Sequence, residues 1–309
     1  MTAIQKKKYK DIEGIEVSND LLSLIVLPSS GGKIQSIRFC DKEYLVQNPS
    51  KNFITAEYDA DYLDGDFSGF DEMFPTITAC PYPGGVWNGI NLPDHGEVWA
   101  LPFETESNQQ SLRLSVHGVR LPYLFSKSIS LDGPQLIIDY CAENLSGFPM
   151  KYIWAAHPLF ILEEGTRLHL PYAHSIMNVY GGCKYLGDFG EKHPWPVSND
   201  NRDLSVLSPE QRCCNKYYVW NRLKHNESTI EYPNGDTITL SCDAAAVPYL
   251  GLWVDEKGYN DGTVACVAPE PCTGAFDSVA LADTFGRVAQ LPPHGKASWQ
   301  LRIAFKKIS

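Results

Sequence analysis

Short apolar runs broken by turn-forming residues recur along the whole 309-residue chain. Leu21–Leu27, Lys33–Phe39 and Glu43–Val46 are joined by Ser29-Ser-Gly-Gly and Cys40-Asp-Lys, the layout of an opening β-meander. Leu112–Val116, Leu124–Leu131 and Gln135–Cys141 continue it, with Asp132-Gly133 at a tight turn. Met150–Leu162 is a further strand-rich run, and Thr229–Tyr232 and Thr237–Leu240 alternate around Pro233-Asn234-Gly235-Asp236, a strong hairpin signal. Ser298–Phe305 alternates cleanly enough to close a sheet. Helical periodicity is confined to short turns near Ser208–Asn215 and Asp277–Ala282. Strands spaced by roughly 8–12 residues, without a fixed repeat or a linker, predict an all-β chain: one large β-sandwich domain over residues 1–309. The loop-rich stretches Tyr58–Asn91 and Gly181–Glu210 are the expected walls of any site.

Composition narrows the function. With 43% hydrophobic and 12% aromatic residues the chain can bury a sizeable core. A formal charge of −11 argues against nucleic acid or an anionic membrane as partner. The basic cluster Lys6-Lys7-Lys8 reads as a solvated tail. Nine cysteines without a C-x-x-C suit neither a disulfide framework nor a zinc site, which predicts reduced, mostly buried thiols in a cytoplasmic protein; a monomer or homodimer is expected separately from this. Neither an apolar leader nor a membrane-length apolar run is visible, and the sequons at Asn144 and Asn226 carry no meaning in that compartment.

The candidate chemistry lies in three stretches. Leu250–Val254 leads to Asp255, and Val264–Ala268 delivers Pro269-Glu270-Pro271. A carboxylate between two prolines sits on a backbone of restricted geometry, which suits a proton-transfer base; an exposed Glu at a strand-to-loop corner is the plainer alternative. His95 lies in Asp94-His-Gly96-Glu-Val-Trp99, where Gly96 would permit a turn that presents the ring. His157 follows the apolar run Tyr152–Ala156, so its imidazole needs a buried partner or a substrate hydroxyl. In Gly69-Phe-Asp71-Glu72-Met-Phe-Pro75, strand alternation allows only one of the two carboxylates into a site. Trp99 and Trp253 are aromatic candidates for the site, with plain core packing as the alternative. The acidic stretch Asp59–Asp66 misses the EF-hand spacing, and no metal, phosphate-loop, nucleotide or nucleophile-elbow motif is present. Two histidines and a constrained glutamate, without metal or cofactor, leave proton shuffling as the chemistry.

At these residues the chain resembles the aldose 1-epimerase, or galactose mutarotase-like, superfamily. The matching pieces are Gly69–Pro75, Asp94–Trp99, His157-Pro-Leu-Phe160 and Gly251–Asp255 with Pro269–Gly274, in family order over roughly residues 60–305. The resemblance implies a many-stranded β-supersandwich holding a free sugar in a cleft across one sheet. It makes Glu270 the base at the C1 hydroxyl, His157, as a protonated imidazole, the acid at the ring oxygen, and His95 the second histidine. Asp255 would match a carboxylate that binds sugar hydroxyls; Asp71, Glu72 and, by stacking on the sugar's apolar face, Trp99 and Trp253 are the further candidate substrate contacts. The Asn-Arg pair that better-known galactose mutarotases carry before the first histidine is missing, and Gly69–Pro75 stands there instead, which leaves the sugar open. The assignment requires Glu270 and His157 to face each other across one cavity, about a sugar ring apart. Three other readings remain at this point: a non-catalytic sugar-binding protein, an epimerase of a hexose phosphate, for which Arg38 and Arg120 are scattered candidates, and a glycoside hydrolase using Asp255 with Glu270.

Overall fold

The computed structural model describes residues 2–308. Two antiparallel sheets, of thirteen and nine strands, contain most of the regular structure, and the longest helix is the single α-helical segment Val279–Thr284. The fold is a galactose mutarotase-like β-supersandwich.

The facing layers are built by strict alternation. Along Lys296–Lys306, Trp299, Leu301, Ile303 and Phe305 are buried while the residues between them are exposed or half-buried. The same strand joins Gln135–Asn144 to Thr237–Cys242, so the two halves of the nine-stranded sheet meet on it. Aromatic side chains lock the layers together: Phe74 packs on Tyr123 and Phe125 at 4.7 and 5.2 Å, and Tyr44 packs on Phe305 at 5.7 Å. The Asn226–Glu231 and Thr237–Cys242 hairpin forms as the turn predicts, with Gly235 at φ 84°.

Two expectations are corrected and two are sharpened. Lys6, Lys7 and Lys8 belong to the edge strand Ala3–Tyr9, paired with Ile12–Ser18; lysines on an exposed edge resist pairing with another chain. Met150–Leu162 is strand-rich as expected, divided into three short strands, Met150–Tyr152, Ala155–Pro158 and Phe160–Ile161. Short helical turns form in both expected places, Pro209–Gln211 and Val279–Thr284, and the first ends before the strand Cys213–Val219, which is buried on both faces. Cys183 and Cys213 form a disulfide with Cα atoms 5.9 Å apart, so the all-thiol expectation fails for this pair; sequence spacing could not reveal a contact made only by the fold. Among the described residues no helix is long and apolar enough to cross a membrane.

The centre of the large sheet runs Phe70–Met73, Ala155–Pro158, Ala265–Cys272, Tyr249–Glu256, Cys213–Val219. Two prolines in so central a strand as Ala265–Cys272 need explaining. Thr273 donates its N–H to Trp154 O, so by alternation the nitrogens of Pro271 and Pro269 face the same neighbour. That ladder pairs only at Ala155↔Cys272 and again at Phe160↔Val267; between them no bond is lost to the prolines. The gap gives His157 the space in which to reach Glu270.

Candidate functional site

Alternation along Phe70–Met73 sends Asp71 and Glu72 to opposite faces. Glu72 enters the layer between the sheets, where Lys127 Nζ donates to its Oε2 and the Tyr140 hydroxyl to its Oε1 at 3.0 Å. The substrate-contact expectation for Glu72 is therefore corrected: it is a buried ion pair linking the layers. Asp71, paired with His157 across the strands, turns to the outer face, where it meets Lys33 Nζ at 3.1 Å and accepts from the Tyr62 hydroxyl at 2.8 Å. It supports the cleft from behind Tyr62 and is not part of the lining.

On the outer face Glu270 lies opposite Gly251, in the middle of its strand and fully buried, which replaces the picture of a strand-end corner. Gly251 leaves the room: a Cβ there would come within 3.2 Å of the Tyr218 ring and 3.4 Å of Glu270 Oε2. Lys216, on the adjoining strand, donates to Glu270 Oε2 and lies 3.7 Å from Asp277 Oδ1, which also accepts from the Tyr218 hydroxyl at 2.7 Å. Glu270 Oε1 has no hydrogen-bond partner among the described residues, and His157 Nε2 is 3.8 Å away. Burial pushes the Glu270 carboxyl up to about 7, against the pull of the Lys216 charge. Burial pulls His157 well below the usual imidazole range, helped by the charges of His95, Lys216 and Lys33. His157 is thus a neutral ring in the unliganded chain, which corrects the protonated imidazole the resemblance implied.

His95 sits in the predicted turn, itself at φ 55° with Gly96 at φ 73°. A Cβ on Gly96 would fall 2.2 Å from Phe74 O, so the turn closes only around glycine. His95 Nδ1 is 2.9 Å from Asp94 Oδ2, and the ring stacks on Tyr62 with centroids 4.0 Å apart. Asp94 carries a lowered pKa: burial raises it, but the His95 hydrogen bond and charge outweigh that. The two histidine rings lie 5.4 Å apart. Trp99 is buried behind Tyr62, its indole N–H donating to Asp94 O at 2.9 Å, and so braces the turn rather than offering a face to a ligand.

These groups line a cavity of about 410 Å³, within the range of small-molecule sites. Glu270, His157, His95 and Lys216 form one end, and Tyr180, Trp253 and Tyr259 give it an aromatic wall. Trp253 thus lies where the sequence put it, with its indole N–H unpartnered among the described residues. Asp255 does not: its Oδ1 accepts the N–H groups of Gly258 at 2.9 Å and Tyr259 at 3.1 Å, fixing the turn that carries Tyr259 into the wall. A carboxylate at a strand end reads the same in sequence whether it faces a ligand or caps the next turn. Among the described residues no group of His, Cys, Asp or Glu is placed to hold a metal ion.

The sequence reading missed Lys216, Asp277, Tyr62 and Tyr180. Lys216 had one signal: a lone Lys within the otherwise uncharged Cys213–Val219, a residue that burial forbids without a carboxylate partner. Tyr62, in the 3-10 turn Tyr62–Asp64, falls within the stretch Tyr58–Asn91 expected to wall a site, though nothing singled it out there, and Tyr180 lies just before the second such stretch.

No family model matches the chain, and no curated relative does. Solved structures do match, several of them over nearly the whole of both chains. The Slr1438 protein from Synechocystis sp. PCC 6803 superposes with a TM-score of 0.74 at 16% identity, over 98% of this chain and 99% of that one. A galactose mutarotase-like protein from Lactobacillus casei gives 0.71 at 15% identity, over 95% of this chain and all of that one. An Escherichia coli K12 protein provisionally described as an aldose 1-epimerase gives 0.68 at 18% identity, over the whole of both chains. At these identities the likeness defines the fold, that of the galactose mutarotase-like proteins.

Proposed function

We propose that the chain is an aldose 1-epimerase, interconverting the α and β anomers of a free, uncharged aldose. One observation carries the reading: the unpartnered Glu270 Oε1, 3.8 Å from His157 Nε2, belongs with that histidine to the lining of a cavity of sugar size with an aromatic wall. That spacing is closer than a ring's width, and it suits two oxygens, O1 and O5, that share carbon C1. Mutarotation removes the proton from O1 and delivers one to O5; the C1–O5 bond breaks, C1 becomes an aldehyde, and rotation before reclosure inverts the anomer. Glu270 and His157 need one proton between them for this exchange. With that proton on His157, Glu270 Oε1 takes the O1 proton while the imidazolium gives its own to O5. On reclosure both return. His95, held by Asp94 and Tyr62, adds a hydrogen bond on the ring side.

The electrostatics favour an uncharged sugar over a phosphorylated one. The cationic Lys216 is already engaged by Glu270 and Asp277, so it is not free to cradle a phosphate. Asp255 is committed to its turn, which removes the carboxylate pair that a hydrolase reading needed. Support from known proteins is the description attached to the Escherichia coli neighbour. The test is polarimetry or anomeric exchange NMR on a panel of α-hexoses, with wild type and Glu270→Gln. Acceleration that the variant loses supports the epimerase; a chain that binds the sugars without accelerating any of them is a carbohydrate-binding protein.

A further inference from the structure

A second cavity, of about 260 Å³, lies on the reverse of the same strands. Alternation that turns Lys216 and Trp253 to the cleft turns Asn215, Tyr217, Val254 and Glu256 to this side. Asn215 pairs with Val254, and Cys213 with Glu256, so Asn215 and Glu256 are diagonal neighbours on one face.

The inner end is rich in acceptors. Asn215 is 2% exposed; its Nδ2 donates to the Tyr185 hydroxyl at 2.6 Å, and its Oδ1 has no partner among the described residues. Glu256, 4% exposed, takes the Ser208 N–H on Oε1 at 2.9 Å, which leaves Oε2 for the cavity. At the rim Arg202 lies over the Tyr185 ring, 4.0 Å from its centroid, and donates to Gln211. The unpartnered amide oxygen of Asn215 and the carboxylate of Glu256 belong to two buried side chains that line one cavity, and together they call for a donor with several hydrogens and positive charge.

We propose that this cavity is a binding site for a small molecule bearing a primary ammonium group, its nitrogen received by Glu256 Oε2, Asn215 Oδ1 and Tyr185 Oη. An ammonium has three donors for these three acceptors, and the Tyr185 and Tyr217 rings add favourable faces. Where the ligand is an amino acid, Arg202 receives its carboxylate. The site is independent of the sugar reading, since it shares strands with the cleft but none of its lining side chains.

Saturation-transfer NMR with ethanolamine and with serine tests it on the full chain. Both ligands give signal with wild type and with Glu270→Gln, and excess glucose leaves it unchanged. Glu256→Gln weakens both at least about tenfold, the scale of losing a charge-assisted bond. The rim variant Arg202→Gln weakens serine alone, and it reads the site even where Glu256→Gln does not fold. The proposal is overturned if neither amine gives signal, if the signal survives Glu256→Gln in a variant that melts as wild type does, if glucose competes it away, or if Arg202→Gln leaves serine unaffected.

Discussion

Replacing Lys216 by methionine separates a tuned acid–base pair from a merely buried one. Lys216 is 6% exposed and its partner Glu270 is fully buried, so their attraction is little screened. Two unit charges at about 4 Å and an effective dielectric of 20 interact by about 4 kcal/mol, close to three pKa units. Water entering the vacated space trims this to a rise of about one unit or more for Glu270, from its present value of about 7. The lysine charge also depresses His157, so its removal raises that group too. The active pair holds one proton. Activity of the wild type therefore falls on the alkaline side as that proton leaves, near pH 7, and on the acid side only as a second arrives, well below the ordinary imidazole range. In Lys216→Met both limbs move to higher pH together, and the variant outperforms wild type relative to its own maximum at alkaline pH. Polarimetric initial rates against pH, corrected for spontaneous mutarotation, give the two curves. A profile whose limbs stay in place in a variant that melts cooperatively refutes the coupling between Lys216 and the pair.

Glu270→Gln is expected to lose about 10²- to 10⁴-fold in kcat while circular dichroism is unchanged; retention of the rate removes Glu270 from the reaction. Lys127→Met, which strands Glu72 between the layers, costs about 3–5 kcal/mol in denaturant unfolding with KM unaffected, because Glu72 does not reach the cleft. Glu256→Gln alters stability in a pH-dependent way. Burial first, with Asp255 and Glu164 adding and Arg202 and the Ser208 bond opposing, raises the Glu256 carboxyl from 4.5 to about 7. The penalty is absent below the unfolded value and grows to about 3 kcal/mol as pH passes the folded one. The variant therefore gains stability over wild type at pH 8 and none near pH 4, measured by melting. Gly96→Ala meets Phe74 O and a left-handed backbone together, so it displaces His95 and lowers kcat even where the protein folds.

What the sequence disclosed follows from how each side chain is fixed. Strands with one buried face write their own alternation, so Ser298–Phe305 and the hairpin around Gly235 were visible. His95 was legible because its backbone demands glycine next to it, and Glu270 because two prolines mark a strand whose neighbour withdraws. Asp71 against Glu72 was legible as a choice: period two says that only one reaches the outer face, but which one depends on the layer that supplies Lys127. The partners of Lys216 are illegible for the same reason, since its pairing with Asp277 joins a strand and a loop about sixty residues apart in a geometry that only the folded sheet defines. Asp255 misled because a carboxylate can satisfy two backbone amides of the next turn as readily as a ligand. The errors share a cause. Local pattern fixes where a side chain's backbone lies and which face it takes, whereas the charge it can carry depends on what burial brings beside it. For the same reason His157 could be placed from sequence but its neutral state could not: that state comes from burial and from His95, Lys216 and Lys33, which approach it from other parts of the chain.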